Sequence, residues 1–148
     1  MSPPGRAIRQ LLVVEDDEAD VELIRRGLEH ASARLTLHVV SDGEQALAFL
    51  RKKPPYEKAP RPDLVLLDLN LPKIDGREVL RQIKGEQALK SIPVVILTTS
   101  EAHKDIAQSY SMGANSYVSK PLSLDEFMIK LKAIESFWTD VVHLPPGH

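Results

Sequence analysis

The sequence predicts a doubly wound α/β fold, a five-stranded parallel sheet with helices on both faces. Three observations lead there. Five short aliphatic or β-branched runs, "IRQLLVV", "LTLHVV", "DLVLLD", "IPVVILT" and "NSYVSK", have the length and composition of strands. Longer segments with apolar residues three or four apart follow them, so strand and helix alternate five times. The runs show little polar alternation, as expected of strands covered on both sides.

The first run leads into Glu15-Asp16-Asp17, and such an acidic stretch suits a first helical turn, where carboxylates meet the positive end of the helix dipole. Val21, Ile24 and Leu28 give the helix that follows its apolar stripe, with Leu23 pointing away from it. After the second run, "SDG" before Glu44 makes a turn and a helix start. The eleven residues from Lys52 to Pro62 read as an exposed connection, where paired prolines limit slack and the charges stay solvated. The third run stops at Asp68, followed by Asn70 and Pro72, and the next helix carries Val79, Leu80 and Ile83. The fourth ends in Thr98-Thr99-Ser100, and Gly113 closes the helix after it. Pro93 and Pro121 lie at element edges. In the last helix Leu124, Phe127, Met128, Leu131, Ile134, Trp138 and Val142 form one inward stripe, leaving Ile129, Phe137 and Val141 outside it.

A chain of 148 residues with 43% hydrophobic content can bury one ordinary core. Lysine and arginine number 19 against 21 acidic residues, so a net charge of -2 offers no basic footprint for nucleic acid. Cysteine is absent, which removes disulfides, thiolate zinc sites and cysteine nucleophiles together. The N-terminal apolar run is too short for a signal peptide or a membrane span, which points to a cytoplasmic protein.

In open parallel sheets, ligands sit beyond the carboxyl ends of the strands. Glu15-Asp16-Asp17, Asp68, Thr98-Thr99-Ser100 and Lys120-Pro121 would all meet at that edge. Gathered carboxylates repel one another unless a cation joins them. An oxygen donor set without cysteine indicates a hard ion, and Mg²⁺ suits a site with few protein ligands. The five histidines lack a zinc-binding spacing. A carboxylate beside such an ion, with a lysine and a hydroxyl near it, is equipped to attack phosphorus and form an aspartyl phosphate.

At "VVEDD", "LLDLNLPKIDG", "ILTTSE" and "YVSKP" the chain resembles the receiver domains of two-component response regulators, in that family's order and spacing. The resemblance covers roughly residues 8–139, leaving an N-terminal extension, 1–7, and a C-terminal tail, 140–148. It implies a flavodoxin-like strand order, 2-1-3-4-5. It also implies that Asp68 accepts a phosphoryl group from a sensor histidine kinase, with Mg²⁺ as cofactor, and acts as a switch with slow self-dephosphorylation rather than as an enzyme. Asp16 would bind the metal directly, Glu15 mainly through water, and Asn70 through its backbone carbonyl. Thr98 and Lys120 would each meet a phosphoryl oxygen, and Tyr117 would be the aromatic whose rotation reports the state. The Lys120-Pro121 bond would be cis, as is usual in the family. Thr99 departs from the alanine or glycine often found there, and its bulk would hinder water's approach to the acyl phosphate.

Only "TDVVHLPPGH" follows the last helix, so output is expected to run through a partner or self-association. A homodimer through the face of the fourth helix, fifth strand and fifth helix, with the tail, is expected from the surplus apolar residues. Leu23 and Leu122 would meet the kinase. The proline-rich connection and "FWTDVVHLP" look like receivers paired with bacterial phytochrome-type kinases. Two other readings compete: a haloacid dehalogenase-type phosphatase, and a docking module that is never phosphorylated. The first wants a second Asp as general acid at position 70, where the chain has Asn. The second has no need for the acidic edge.

Overall fold

The structure is a computed structural model, describing residues 8–28, 35–99, 103–120 and 123–138. Its elements run β1 (Gln10–Val14), α1 (Glu18–Gly27), β2 (Thr36–Val40), α2 (Gly43–Leu50), β3 (Leu64–Leu67), α3 (Gly76–Gly85), β4 (Val94–Thr98), α4 (His103–Ser111), β5 (Ser116–Ser119) and α5 (Leu124–Ser136). All four strand pairings are parallel and the order is β2-β1-β3-β4-β5. The chain is therefore the five-stranded, flavodoxin-like sheet that the alternation and the resemblance implied.

Successive side chains of a strand point to opposite faces, and the three central strands use both. Leu12 and Val14, Val65 and Leu67, and Val94 and Ile96 face one core, completed by Leu47, Val79, Leu80 and Ile83 of α2 and α3. Leu11 and Val13, Leu64 and Leu66, and Val95 and Leu97 face the other, completed by Ile24 of α1 and Phe127 and Leu131 of α5. Gly27 lets α1 and α5 close: a Cβ there would lie 2.8 Å from Leu131 Cβ.

Two aspartates bracket β3. Asp63 is fully buried, and its Oδ2 accepts from the amides of Arg9 and Gln10 at 2.9 Å each, tying β1 to β3 at the amino edge. Asp68 stands at the carboxyl edge, its amide donating to Val14 at 3.1 Å.

Three expectations change. Leu124 is 57% exposed and leaves the inward stripe of α5, because as the first residue of α5 it lies at the helix end and not along the face that Phe127 and Leu131 bury. Leu23 is half-buried and packs against the α1/α5 core instead of pointing away. The connection after α2 is anchored as well as solvated: Tyr56 packs on Phe49 with ring centroids 5.4 Å apart, and Arg61 reaches Ser91 Oγ at 2.9 Å. The Pro54–Pro55 bond in it is cis. Gly113 closes α4 with φ +101°, as its position suggested. No helix among the described residues is long and apolar enough to cross a membrane.

Candidate functional site

β3 is wholly buried, so its last turn of chain delivers Asp68 to the carboxyl edge with little freedom. The loop that follows is pinned from both sides. Gly76 donates its amide to Leu69 at 2.9 Å, and a Cβ on Gly76 would sit 2.2 Å from the Asp68 carbonyl oxygen. Gly43 comes as near to the loop's other end, where a Cβ would lie 2.1 Å from the Ile74 carbonyl oxygen. Lys73 takes a left-handed φ of +66° between them, and its Nζ lies 3.6 Å from the buried Asp42.

Asp68 is 7% exposed and held on both oxygens. Thr98 donates its hydroxyl to Oδ1 at 2.8 Å, and the Asn70 amide donates to the same oxygen at 3.1 Å. Lys120 Nζ donates to Oδ2 at 3.0 Å. That ammonium also pairs with Glu15 and reaches Asp20 Oδ2 at 2.9 Å. Burial pushes the Glu15 carboxyl up to about 7, against the hydrogen bond and the charge of Lys120. Burial pulls the other way on Lys120, but the bond to Glu15 and the charges of Glu15 and Asp68 outweigh it and raise its affinity for its proton.

Carboxylate oxygens of Glu15, Asp16 and Asp68 lie within 4.8 Å of one another, Asp16 on the solvent side and the other two buried. An all-oxygen set at this spacing fits a hard divalent cation. The neutralisation that burial demands of Glu15 is what such a charge would supply.

Of the residues singled out from sequence, the structure gathers Glu15, Asp16, Asp68, Asn70, Thr98 and Lys120 at one edge. The Asn70 carboxamide stands 3.5 Å from Thr98 Oγ1. Tyr117 is half-buried against the α2/α3 core, its amide donating to Tyr110 Oη at 3.0 Å. Pro121 and Leu122 lie outside the described residues, as do Val141, Val142 and the tail. Two contributors were not anticipated. Asp20 sits one helical turn beyond the acidic run, a spacing that could have marked it. Arg77 joins α3 to α4 through a two-pronged contact with Asp105, at 3.0 and 2.8 Å, of which the sequence carries no local sign.

Residues 11–132 match the family model described as the response regulator receiver domain. The chain belongs to that family. As a receiver it works in phosphorelay signalling, and the phosphatase alternative is not favoured. It is similar to the response regulator Rcp1 of Synechocystis sp. (strain ATCC 27184 / PCC 6803 / Kazusa), 44% identical over 145 residues, covering 98% of this chain and 99% of Rcp1. The Mn²⁺-bound crystal structure of Rcp1 superposes with a TM-score of 0.89 at 45% identity, over 93% of this chain and 99% of that one. The phosphorylated cyanobacterial phytochrome response regulator RcpA gives 0.90 at 45% identity, over 94% and 99%.

Proposed function

We propose that Asp68 is the phosphoryl acceptor of this receiver, taking its group from a phosphohistidine on a sensor histidine kinase. The observation that carries the reading is the Asp68 carboxylate at a strand end, met by the Thr98 hydroxyl and the Lys120 ammonium and set among the oxygens of Glu15 and Asp16. In the transfer, an Asp68 oxygen forms a bond to phosphorus as the nitrogen–phosphorus bond breaks. The bonding electron pair leaves with the imidazole nitrogen, which then takes up a proton. Lys120 offsets charge on one phosphoryl oxygen and Thr98 donates to another. Glu15, Asp16, Asp68 and the Asn70 carbonyl would hold Mg²⁺, which when bound supplies positive charge to the equatorial oxygens.

Attraction of Thr98 to the phosphoryl group then shifts the loop after β4, and Tyr117 turns inward. The extent is limited by how differently the group interacts with the two states. Phosphorylation of RcpA and binding of Mn²⁺ by Rcp1 support the same chemistry here. The description of RcpA as a phytochrome response regulator supports a phytochrome-type kinase as partner, with Leu23 and Leu122 among the contacts. We further take residues 8–139 as the receiver domain between the 1–7 extension and the 140–148 tail. It is a cytoplasmic switch without nucleic acid as partner and without steady turnover. It pairs as a homodimer through α4, β5, α5 and the tail.

The test is intact mass after incubation with Mg²⁺ and acetyl phosphate, followed by peptide mapping. Wild type is expected to gain one phosphoryl group on Asp68 and the Asp68→Asn variant none. A label mapped elsewhere, or none at all, overturns the reading.

A further inference from the structure

Lys120 Nζ has three carboxylate partners, Glu15, Asp20 and Asp68, and they are not equivalent. Glu15 and Asp68 belong to the cluster whose oxygens lie within 4.8 Å of one another, while Asp20 stands outside it. Asp20 comes from the first turn of α1, and its side chain is 24% exposed where that of Lys120 is 4% exposed. The ammonium is therefore held by groups from two kinds of element, the ends of β1 and β3 and the first turn of α1.

We propose that Asp20 is a positioning residue for Lys120, a tether that keeps the ammonium on the site when the strand-end carboxylates are otherwise engaged. The inference rests on the phosphoryl-acceptor reading of Asp68. Once an Asp68 oxygen is bonded to phosphorus it no longer offers a full carboxylate charge, and Glu15 would be shared with the divalent cation that the cluster would hold. Of the three carboxylates that hold Lys120, Asp20 is the one that lies outside the Glu15, Asp16 and Asp68 cluster and takes no part in the transfer. Lysine is a long flexible stem carrying a point charge, so its effect on the phosphoryl oxygens depends on what fixes its tip. Misplacement of a catalytic group by about 1 Å costs up to 10²-fold in rate. Loss of one of three anchors should cost less, roughly tenfold.

The experiment compares wild type, Asp20→Ala and Asp20→Asn at saturating Mg²⁺, following Asp68 phosphorylation by acetyl phosphate. A small donor removes any effect of α1 on kinase docking. Thermal unfolding of each variant shows that it is folded. Asparagine keeps an oxygen that accepts from the ammonium but lacks the charge, so it separates tethering from electrostatics. Asp20→Ala is expected to be phosphorylated roughly tenfold more slowly and Asp20→Asn to recover most of that loss.

A second readout needs no phosphoryl chemistry. The rate at which acetic anhydride acylates Lys120, read by peptide mass, should rise several-fold in Asp20→Ala as the amine is released. Equal losses in both variants, an Asp20→Ala rate matching wild type, or an unchanged Lys120 acylation rate would each overturn the tether. A wild-type chain that takes no phosphoryl group on Asp68 would overturn the acceptor reading, and the inference with it.

Discussion

One ammonium shared by three carboxylates makes the site asymmetric towards substitution. Lys120→Met leaves Glu15 and Asp68 buried without their countercharge, and breaking a buried pair in this way costs about 3–5 kcal/mol. Urea unfolding should show that loss, and millimolar Mg²⁺, which binds only the folded cluster, should restore more stability to the variant than it adds to wild type, because no ammonium then competes for the Glu15 and Asp68 charges. Asp68→Asn leaves Lys120 paired with Glu15 and Asp20 and is expected to stay within about 1 kcal/mol of wild type. A second prediction concerns Thr99, which is exposed beside the buried Thr98. If its bulk hinders water, phosphorylated Thr99→Ala should release phosphate faster than wild type, and an equal or slower rate counts against that role. The two aspartates of "DLVLLD" show how far residue types can be read from sequence. Strand direction singles out Asp68, since it falls at the end where loops converge. Asp63 is still more buried, and backbone amides from β1, distant in sequence, satisfy it. Such a clamp leaves no local pattern, and neither does the contact of Asp20 with Lys120 across a hundred residues.

At the scale of elements, the loop between β3 and α3 depends on two glycines that let backbone approach backbone. Gly76→Ala would drive a methyl against the Asp68 carbonyl oxygen and the Leu69 Cα, 2.2 and 2.6 Å away. Backbone cannot yield as a side-chain tip does, so the variant should lose about 1–3 kcal/mol of stability and phosphorylate more slowly. Denaturant midpoint and acetyl phosphate kinetics measure the two effects, and unchanged values in both would show that the loop has slack. β2 carries a pH-dependent element. His38 hydrogen-bonds Gln10 at 2.7 Å and lies against Phe49, and burial lowers its pKa below 6.5. The folded state therefore holds fewer protons on His38 than the unfolded chain does below that value. This contribution is present above pH 6.5 and is lost as pH falls through the lowered folded value. A His38→Gln variant should show a shallower loss of stability between pH 7 and pH 5 than wild type. Strand and helix positions were legible because periodicity is local. The anchoring of the loop after α2 was not, because Tyr56 and Arg61 meet partners on other elements.

For the whole molecule, the question is where a partner copy would bind. The exposed large apolar residues among those described are Tyr110, Leu124, Ile129 and Phe137, all on α4 or α5 and the turn that ends α5. Beside them runs a groove of about 610 Å³ lined by Tyr117, Val118, Lys130, Ile134, Phe137 and Trp138. Edge-to-edge pairing through β5 is opposed, since the Tyr117 amide is taken by Tyr110 and the Ser119 carbonyl accepts from Lys130 at 3.1 Å. A dimer on this face would thus be built from helix side chains. Burying Phe137 or Ile129 contributes about 1.5–3 kcal/mol each, enough that losing either should weaken association at least tenfold. Sedimentation of wild type over a concentration series should reveal a dimer, and Ile129→Ser with Phe137→Ser should shift it to monomer. Trp138, the single tryptophan, stacks edge-on to Phe137 at 5.6 Å, so its emission should change on dilution through the same transition. The face includes β5, which carries Tyr117, so adding acetyl phosphate and Mg²⁺ should move the dimer constant as well. A wild-type mass that stays monomeric at high concentration, with and without the donor, would remove the dimer and leave this apolar face to a different protein.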